Sequence, residues 1–267
     1  MGEDSADLLS YNRQGYVIVG ARGERDKPKA NIMRRNYFSE NWYQATEQFV
    51  KRANKFGDLR WCVADNHKFD IPYLTIGNGP NKIVINSGVH GIEGYFGSAA
   101  QNMFLDVFGR RITPEFREKY TIVLIHVING WGMQNRMREV ADNVRGGLVD
   151  LNRNFILDWN SFDMTVNKDY PKVDTFLGPQ KQMGNALWHE ADFYVSLAGA
   201  VVSNGADSIS NALLGGQYEY PEGVYYGGRK DEKSTAYVKD VFEWTLGDSH
   251  YENVVHIDVH SGYGPRY

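Results

Sequence analysis

The sequence has few of the features that would indicate a secreted, membrane-bound or nucleic-acid-binding protein. It contains one cysteine, Cys62, among 267 residues, so no internal disulfide can form, and we interpret this residue as an ordinary small side chain. The start shows no basic segment followed by an apolar core, and no apolar run approaches the length of a membrane span. The net charge of -4 provides no positive field that would attract nucleic acid or an anionic membrane. We therefore expect a cytoplasmic protein with neither of these partners.

Internal repeats, heptad runs and low-complexity tracts are also absent from the sequence, and this favours one main domain. Residues 1–35 are polar and broken by glycine and proline, so we interpret them as an N-terminal extension with a possible strand at residues 15–21. Residues 36–267 form the predicted domain, and the 42% hydrophobic content can fill a substantial core. The paired glycines within residues 215–228 lack the spacing of a phosphate-binding loop, so we interpret them as turns.

Hydrophobic periodicity predicts strands that alternate with helices. Residues 39–55 carry apolar side chains at helical spacing, with Ser39 as a plausible N-cap. The alternation through Ile71, Tyr73 and Thr75 suits a strand in an antiparallel pair. The further predicted elements are strands at residues 59–64, 69–76, 83–85, 121–128 and 254–260 and helices at residues 180–197 and 235–246. This order favours an α/β fold, in which a mostly parallel mixed sheet is flanked by helices on both faces.

Two potential metal ligands follow one of these strands. His90 and Glu93 lie in the turn between the β-branched run at residues 83–85 and a helix that begins at Gly94. In that helix the apolar residues recur at helical spacing as Phe96, Ala99, Ala100, Met103, Phe104, Val107 and Phe108. Open α/β sheets place their sites at the carboxyl ends of strands, and zinc accepts imidazole and carboxylate ligands. The pair therefore predicts a metal site, although an HxxE spacing alone is weak support.

A third ligand is available at the end of a second apolar strand. His260 closes the run that begins at residue 254 and is followed by a break at Gly262. A catalytic zinc usually takes three protein ligands and a water, so two strand ends could converge on one ion. A structural hydrogen bond at a strand end is the alternative role for His260. His256 and Asp258 share its strand face and are candidates for orienting a ligand ring, or for structural hydrogen bonds.

Residues 143–155 form a second cluster, which is dense in amides and guanidinium groups. Arginine presents a planar fork of donors that matches a carboxylate, and asparagine adds a further donor. Asn152 and Arg153 beside a metal would therefore suit the anionic end of a substrate. In the alternative interpretation, Asp150 and Asn154 make turn hydrogen bonds while the arginines remain solvated.

Five segments give the chain a resemblance to the zinc carboxypeptidase superfamily. They occur in the family's order at residues 87–98, 126–132, 150–155, 215–228 and 258–262. Within that superfamily the chain looks like an uncharacterised carboxypeptidase-like branch near the succinylglutamate desuccinylase and aspartoacylase group. The resemblance implies a carboxypeptidase-like fold with zinc as the cofactor.

The resemblance also implies roles for particular residues. His90, Glu93 and His260 would hold the zinc ion, and Asn152 and Arg153 would contact the free carboxylate of the substrate. The remaining residues implied are an arginine that polarises the scissile carbonyl, which we assign to Arg138, and Arg136 as a neighbouring substrate contact.

One residue that the superfamily uses has no counterpart in the sequence. The resemblance places the general base, a glutamate, on a strand well after the third ligand, whereas this sequence ends at Tyr267. Two interpretations remain: the chain is a fragment of a longer enzyme, with a domain truncated at its C-terminus, or it binds metal without turnover.

We expect a zinc-dependent hydrolase of an amide bond in a peptide or acyl-amino acid that bears a free carboxylate. The expected partner is therefore a small-molecule or peptide substrate with a carboxylate. The alternatives are a zinc-dependent N-acyl amino acid deacylase and a non-catalytic zinc-binding pseudoenzyme. The sequence does not identify the side chain of the substrate.

Overall fold

A computed structural model describes residues 9–11, 17–19, 37–62, 68–141, 147–177, 186–247 and 252–262. Its contacts divide the chain into one unit at Met1–Asn36 and another at Tyr37–Tyr267. In the first unit, strand β1 (Leu9–Tyr11) pairs antiparallel with strand β2 (Val17–Val19), which lies within the strand predicted at residues 15–21. Among the described residues, no helix is both long enough and apolar enough to cross a membrane.

The second unit is built on a five-stranded mixed sheet. Its strands are β3 (Asp58–Cys62), β4 (Ile71–Ile76), β5 (Asn81–Ser87), β6 (Tyr120–Val127) and β9 (Asn253–Val259), and a separate ribbon pairs β7 (Val140–Ala141) with β8 (Leu148–Val149). The order across the sheet is β3-β4-β6-β5-β9. Strand β4 is antiparallel to β3 and β6, as its alternation predicts, while β5 is parallel to β6 and β9. Four of the five strands therefore run in one direction.

Helices cover both faces of this sheet, as the sequence predicts. The helices described in this unit are α1 (Trp42–Ala53), α2 (Gly94–Val107), α3 (Pro114–Lys119), α4 (Gly130–Asn135), α5 (Pro171–Leu177), α6 (Ala186–Asn204), α7 (Ala206–Leu214) and α8 (Lys233–Leu246). Of these, α5, α6 and α7 pack against one another. Phe49 of α1 and Leu105 of α2 pack with Leu124 on one face, whereas Val238 and Val241 of α8 pack on the other. The first six residues of the helix predicted at 180–197 lie outside the described residues.

Helix α1 buries the residues that its spacing predicts but begins later than expected. Trp42, Ala45, Phe49 and Ala53 are all buried. The N-cap is Asn41 rather than Ser39, because the Asn41 side chain accepts a hydrogen bond from the backbone N–H of Gln44. The prediction of Ser39 as N-cap was therefore wrong.

Helix α2 forms where the sequence predicts a helix, but its large apolar residues do not make its buried face. Phe96, Met103 and Phe108 are each more than 40% exposed. Apart from Leu105, the buried side is instead made of small and polar residues, which are Gly94, Gly97, Ser98, Ala99, Gln101 and Asn102. A hydrogen bond compensates for part of this burial, because Gln101 donates to the Ile125 carbonyl.

Because β5 and β9 are parallel neighbours, the two predicted metal-binding segments that follow them lie at the same end of the sheet, where the strands have their carboxyl ends. Strand β5 ends at Ser87, which is in register with Val259 at the end of β9. Gly88 then turns the chain with φ of 64°, and a Cβ there would lie 2.8 Å from Cγ1 of Val127. Only glycine tolerates both the positive φ and this close approach. His90 and His260 therefore follow neighbouring strand ends.

Candidate metal centre

The structure brings together the three residues that the sequence analysis assigned to a metal. His90, Glu93 and His260 each offer one ligand atom, and these atoms all lie within 4.8 Å of one another. The two imidazole rings meet edge to face with their centroids 4.8 Å apart. His90 and Glu93 are buried, whereas the His260 side chain is 29% exposed. The cluster therefore extends from the core of the domain to its surface.

The His90 ring is oriented by groups on both of its nitrogens. Nε2 lies 3.3 Å from Oδ1 of the buried Asp150. Nδ1 lies 3.0 Å from Oε1 of Glu93 and 3.1 Å from Nη1 of Arg138. Because Arg138 can only donate, we assign the ring proton to Nε2, facing Asp150. Nδ1 then accepts from Arg138 beside a carboxylate oxygen, and a cation bound between Nδ1 and that oxygen would take the place of the Arg138 donor.

His260 has a similar arrangement on a different strand. Its Nε2 lies 2.6 Å from Oδ2 of Asp258, and its Nδ1 lies 3.2 Å from Oε2 of Glu93. The hydrogen bond with Asp258 raises the pKa of His260 above its usual value, and Glu93 acts in the same direction. Of the two residues on this strand that were candidates for orienting the His260 ring, Asp258 contacts that ring, whereas His256 contacts Asn86.

Glu93 and Asp150 are kept ionised despite their burial. Burial raises the pKa of Glu93, but the backbone N–H of Ser261 and the imidazoles outweigh it, so the pKa lies below its usual range. Burial likewise opposes ionisation of Asp150, but the adjacent His90 imidazole and the charge of Arg138 lower its pKa to about 2. The centre therefore holds two carboxylates in their charged form next to two imidazoles.

Arg138 borders the cluster, and the surrounding backbone fixes its position. Its carbonyl accepts hydrogen bonds from the Gly91 N–H and from the Asn129 side chain. Its Nη2 donates to Oδ2 of Asp150 at 2.9 Å, and its guanidinium lies 5.3 Å from the centroid of the Tyr225 ring. Arg136, in contrast, is exposed and caps helix α4 with a φ of 56°. Of these two arginines, the structure places Arg138 at the cluster.

Asn152 and Arg153 are adjacent in sequence but extend in different directions. Asn152 lines a cavity of about 700 Å³ together with Asn86, Phe155, Phe242 and Asp258. The Nη2 of Arg153 donates to the carbonyl of Leu214 at 2.9 Å. The two side chains thus do not form a ready-made clamp in this structure.

Three residues at the centre were not assigned these contacts from sequence. From sequence, Asp150 was expected only to make a turn hydrogen bond. Its carboxylate accepts that bond from the Asn152 N–H and also lies 3.3 Å from Nε2 of His90. Asn86 supports Asp258, and Tyr225 lies under Arg138. The signal for Asp150 in the sequence is its position between two apolar residues, Val149 and Leu151, both of which are buried.

The fold and the cluster together define an α/β protein with a candidate metal centre at the carboxyl edge of its sheet. The chain belongs to the family described as "Protein of unknown function (DUF2817)", which matches residues 38–267. No curated protein matches its sequence.

Two solved structures of thrombin-activatable fibrinolysis inhibitor are similar to the chain. The bovine protein, in complex with tick carboxypeptidase inhibitor, has a TM-score of 0.48 and 13% identity over 84% of this chain and 61% of that chain. A second structure of the inhibitor has a TM-score of 0.42 and 12% identity over 85% of this chain and 50% of that chain. This chain thus spans only part of both proteins, and likenesses of this size carry no inference about its chemistry.

Proposed function

We propose that this protein is a zinc-dependent hydrolase of an amide bond in a peptide or acyl-amino acid that bears a free carboxylate. The convergence of His90, Glu93 and His260 at one sheet edge is the observation that carries this proposal. The resemblance of five sequence segments to the zinc carboxypeptidase superfamily supports it. The finer placement near succinylglutamate desuccinylase and aspartoacylase remains part of the proposal.

The donor set suits zinc. Zinc binds imidazole nitrogen and carboxylate oxygen, and catalytic sites commonly combine two histidines and one glutamate. Each histidine directs its Nε2 at a carboxylate and its Nδ1 at Glu93, as ligating histidines do when a carboxylate fixes their tautomer. The residues present therefore fit a zinc ion held by two Nδ1 atoms and Glu93.

A bound zinc ion would supply Lewis acidity, which makes water a nucleophile near neutral pH and polarises a carbonyl. Arg138 places a positive charge beside the proposed metal ligands, since its Nη1 lies 3.9 Å from Oε1 of Glu93. We assign it to the negative charge that develops on the scissile carbonyl oxygen. Its bond to Asp150 and its stacking on Tyr225 hold the guanidinium in place before the substrate arrives.

The proton released from water needs an acceptor other than Glu93. Glu93 is assigned to the metal, and its Oε2 also accepts a hydrogen bond from the Ser261 N–H. Another carboxylate near the centre is that of Glu139, whose Oε1 lies 3.9 Å from Nε of Arg138. Because Glu93 is assigned to the metal and no other proton acceptor is assigned among the described residues, the second candidate function is a zinc-binding protein that does not turn over substrate.

We propose that the substrate carboxylate is held by Asn152 and Arg153, with Arg136 as a further contact. Asn152 already faces the cavity next to the centre, whereas Arg153 would exchange the Leu214 carbonyl for the stronger charge-assisted bond to a carboxylate. A peptidase and an N-acyl amino acid deacylase would both use such a clamp. A panel of carboxylate-bearing peptides and acyl-amino acids, compared with their amides, separates the two activities.

The proposal is tested by amide hydrolysis and zinc content measured on the same preparations. We expect the zinc-loaded protein to cleave a member of that panel, and Glu93→Gln to lose both zinc and activity. Glu115→Gln is the matched control, because Glu115 is exposed on α3. A protein that binds zinc in the cluster but cleaves nothing supports the second candidate. If Glu93→Gln retains zinc as fully as Glu115→Gln, the metal centre is wrong.

A further inference from the structure

Asn86 is a buried amide on strand β5 that contacts two polar residues of the neighbouring strand. Its Nδ2 donates to Oδ1 of Asp258 at 2.6 Å, and its Oδ1 accepts a hydrogen bond from Nε2 of His256. The residue itself is 1% exposed. The strand register explains these contacts, because Asn86 is paired with Asp258 and lies two positions from the partner of His256. Both ends of the amide are therefore occupied.

The contact with Asp258 continues to the metal centre. The second oxygen of that carboxylate, Oδ2, lies 2.6 Å from Nε2 of His260, whose Nδ1 faces Glu93. A chain of hydrogen bonds thus runs from Asn86 through Asp258 to His260. Rotation of the Asp258 side chain would break it at the carboxylate.

Asp258 needs such support more than its counterpart Asp150 does. The Asp150 side chain is fully buried and is fixed by Arg138 and by the Asn152 N–H. The Asp258 side chain is 31% exposed on a strand that pairs with β5 on one side in the described sheet. An exposed side chain has rotamer freedom that a hydrogen-bond partner must restrict.

We propose that Asn86 is a positioning residue of the candidate metal centre: its amide fixes Asp258, which in turn holds the His260 ring with Nδ1 facing the metal position. This inference rests on the proposed zinc site. The role requires an amide, because Asn86 must donate to a carboxylate and accept from His256 at the same time. An aspartate at this position would place two carboxylates in contact, and an alanine would leave Asp258 without its donor.

Zinc affinity, measured by competition with a chelator, tests the inference without reference to activity. Removing a group that orients a metal ligand typically costs about 10- to 100-fold in affinity, and we expect about 10-fold for Asn86→Ala because Asp258 itself remains. Asn102→Ala is the matched control. It removes another buried amide, one that bonds Ser98 within α2, and we expect it to lower thermal stability without changing zinc affinity.

An exchange of the two side chains provides a test that does not depend on a truncated residue. Asn86→Asp and Asp258→Asn should each weaken zinc binding, whereas the double variant should recover most of the affinity. In the double variant the amide introduced at position 258 can still accept from His260 and can donate to the carboxylate introduced at position 86. The chain of bonds is then restored with donor and acceptor reversed. In the cobalt-substituted proteins, the visible spectra of the two single variants should differ from the wild-type spectrum, and the spectrum of the double variant should approach it.

The outcomes separate this inference from the proposed function. Wild-type affinity in Asn86→Ala, or additive losses in the double variant, would overturn the positioning role while leaving the metal centre intact. A wild-type protein that binds no zinc would overturn both. Recovery in the double variant, with an unaffected Asn102→Ala control, supports the inference.

Discussion

The two histidines of the centre are held at similar distances from Glu93 by different physical means. His90 follows β5, which has a neighbouring strand on each side, and its carboxylate partner Asp150 is fully buried. His260 follows β9 at the edge of the described sheet, and its partner Asp258 is partly exposed. Packing and buried charge hold the first ligand, whereas a chain of hydrogen bonds holds the second. Two ligands with equivalent geometry can therefore differ in the interactions that stabilise them.

Removing His90 is expected to have the largest effect, because it takes away a ligand and leaves the buried Glu93 and Asp150 without the imidazole that contacts both. We expect His90→Ala to bind well under one zinc ion per chain after gel filtration, and to lose the increase in melting temperature that zinc gives the wild-type protein. Metal analysis and thermal unfolding with and without zinc measure this. A normal zinc content in His90→Ala would break the comparison at its first step.

Asp150→Asn weakens the buried support of His90. We expect zinc affinity to fall by about 100-fold, at the upper end of the range for groups that orient a ligand. Arg138 also loses its buried anionic partner, and because its side chain is 31% exposed the free energy of unfolding should fall by only about 1–3 kcal/mol. Chelator competition and urea unfolding measure the two effects. An unchanged affinity would show that Asp150 does not orient His90.

Acid should also lower the free energy of unfolding through His126, a buried residue that hydrogen-bonds Ser98 of helix α2. Burial lowers the pKa of His126 to about 3, so the folded protein leaves this imidazole neutral at pH 5, whereas the unfolded chain protonates it below about 6.5. The unfolded state then binds more protons, and the free energy of unfolding falls by about 1.4 kcal/mol for each pH unit below that value.

His126→Gln should remove this slope, because glutamine can still bond Ser98 but does not titrate. Urea unfolding of both proteins at pH 7, 6 and 5 gives the slopes. If the variant and the wild-type protein lose stability in parallel, another group carries the acid sensitivity.

Asp258→Asn should have the smallest effect of the four. We expect about a 10-fold loss of zinc affinity, because an amide oxygen can still accept from His260. The free energy of unfolding should stay within about 0.5 kcal/mol of the wild-type value, since the side chain is partly exposed. A loss of stability as large as that of Asp150→Asn would contradict the distinction between a buried and an exposed support.

The positions of the three candidate ligands could be predicted from sequence because each belongs to a local pattern. A strand followed by a glycine turn places His90 and Glu93 at a sheet edge, and the second strand does the same for His260. The order of strands across the sheet could not be predicted in this way. Asn86 meets Asp258 only because β5 and β9 are neighbours in register. The contacts that orient the rings therefore depend on topology rather than on local pattern.

Helix α2 shows why the buried face was harder to predict than the helix itself. Its apolar residues have helical spacing, but the side towards the sheet must pass close to Ser87 and Gly88 at the end of β5. Gly97 lies there, and a Cβ on it would come within 2.4 Å of Cβ of Ser87. Close approach therefore selects small residues, and buried polar groups such as Gln101 find partners on β6.

X-ray absorption at the zinc edge identifies the ligands of the bound ion in the wild-type protein. We predict a first shell with two imidazole nitrogens at about 2.0–2.1 Å and carboxylate oxygen at about 2.0–2.2 Å, without sulfur. His260→Ala should remove one imidazole contribution and leave the other. A zinc-loaded protein whose spectrum contains no imidazole scattering, or is the same in His260→Ala, would contradict the account.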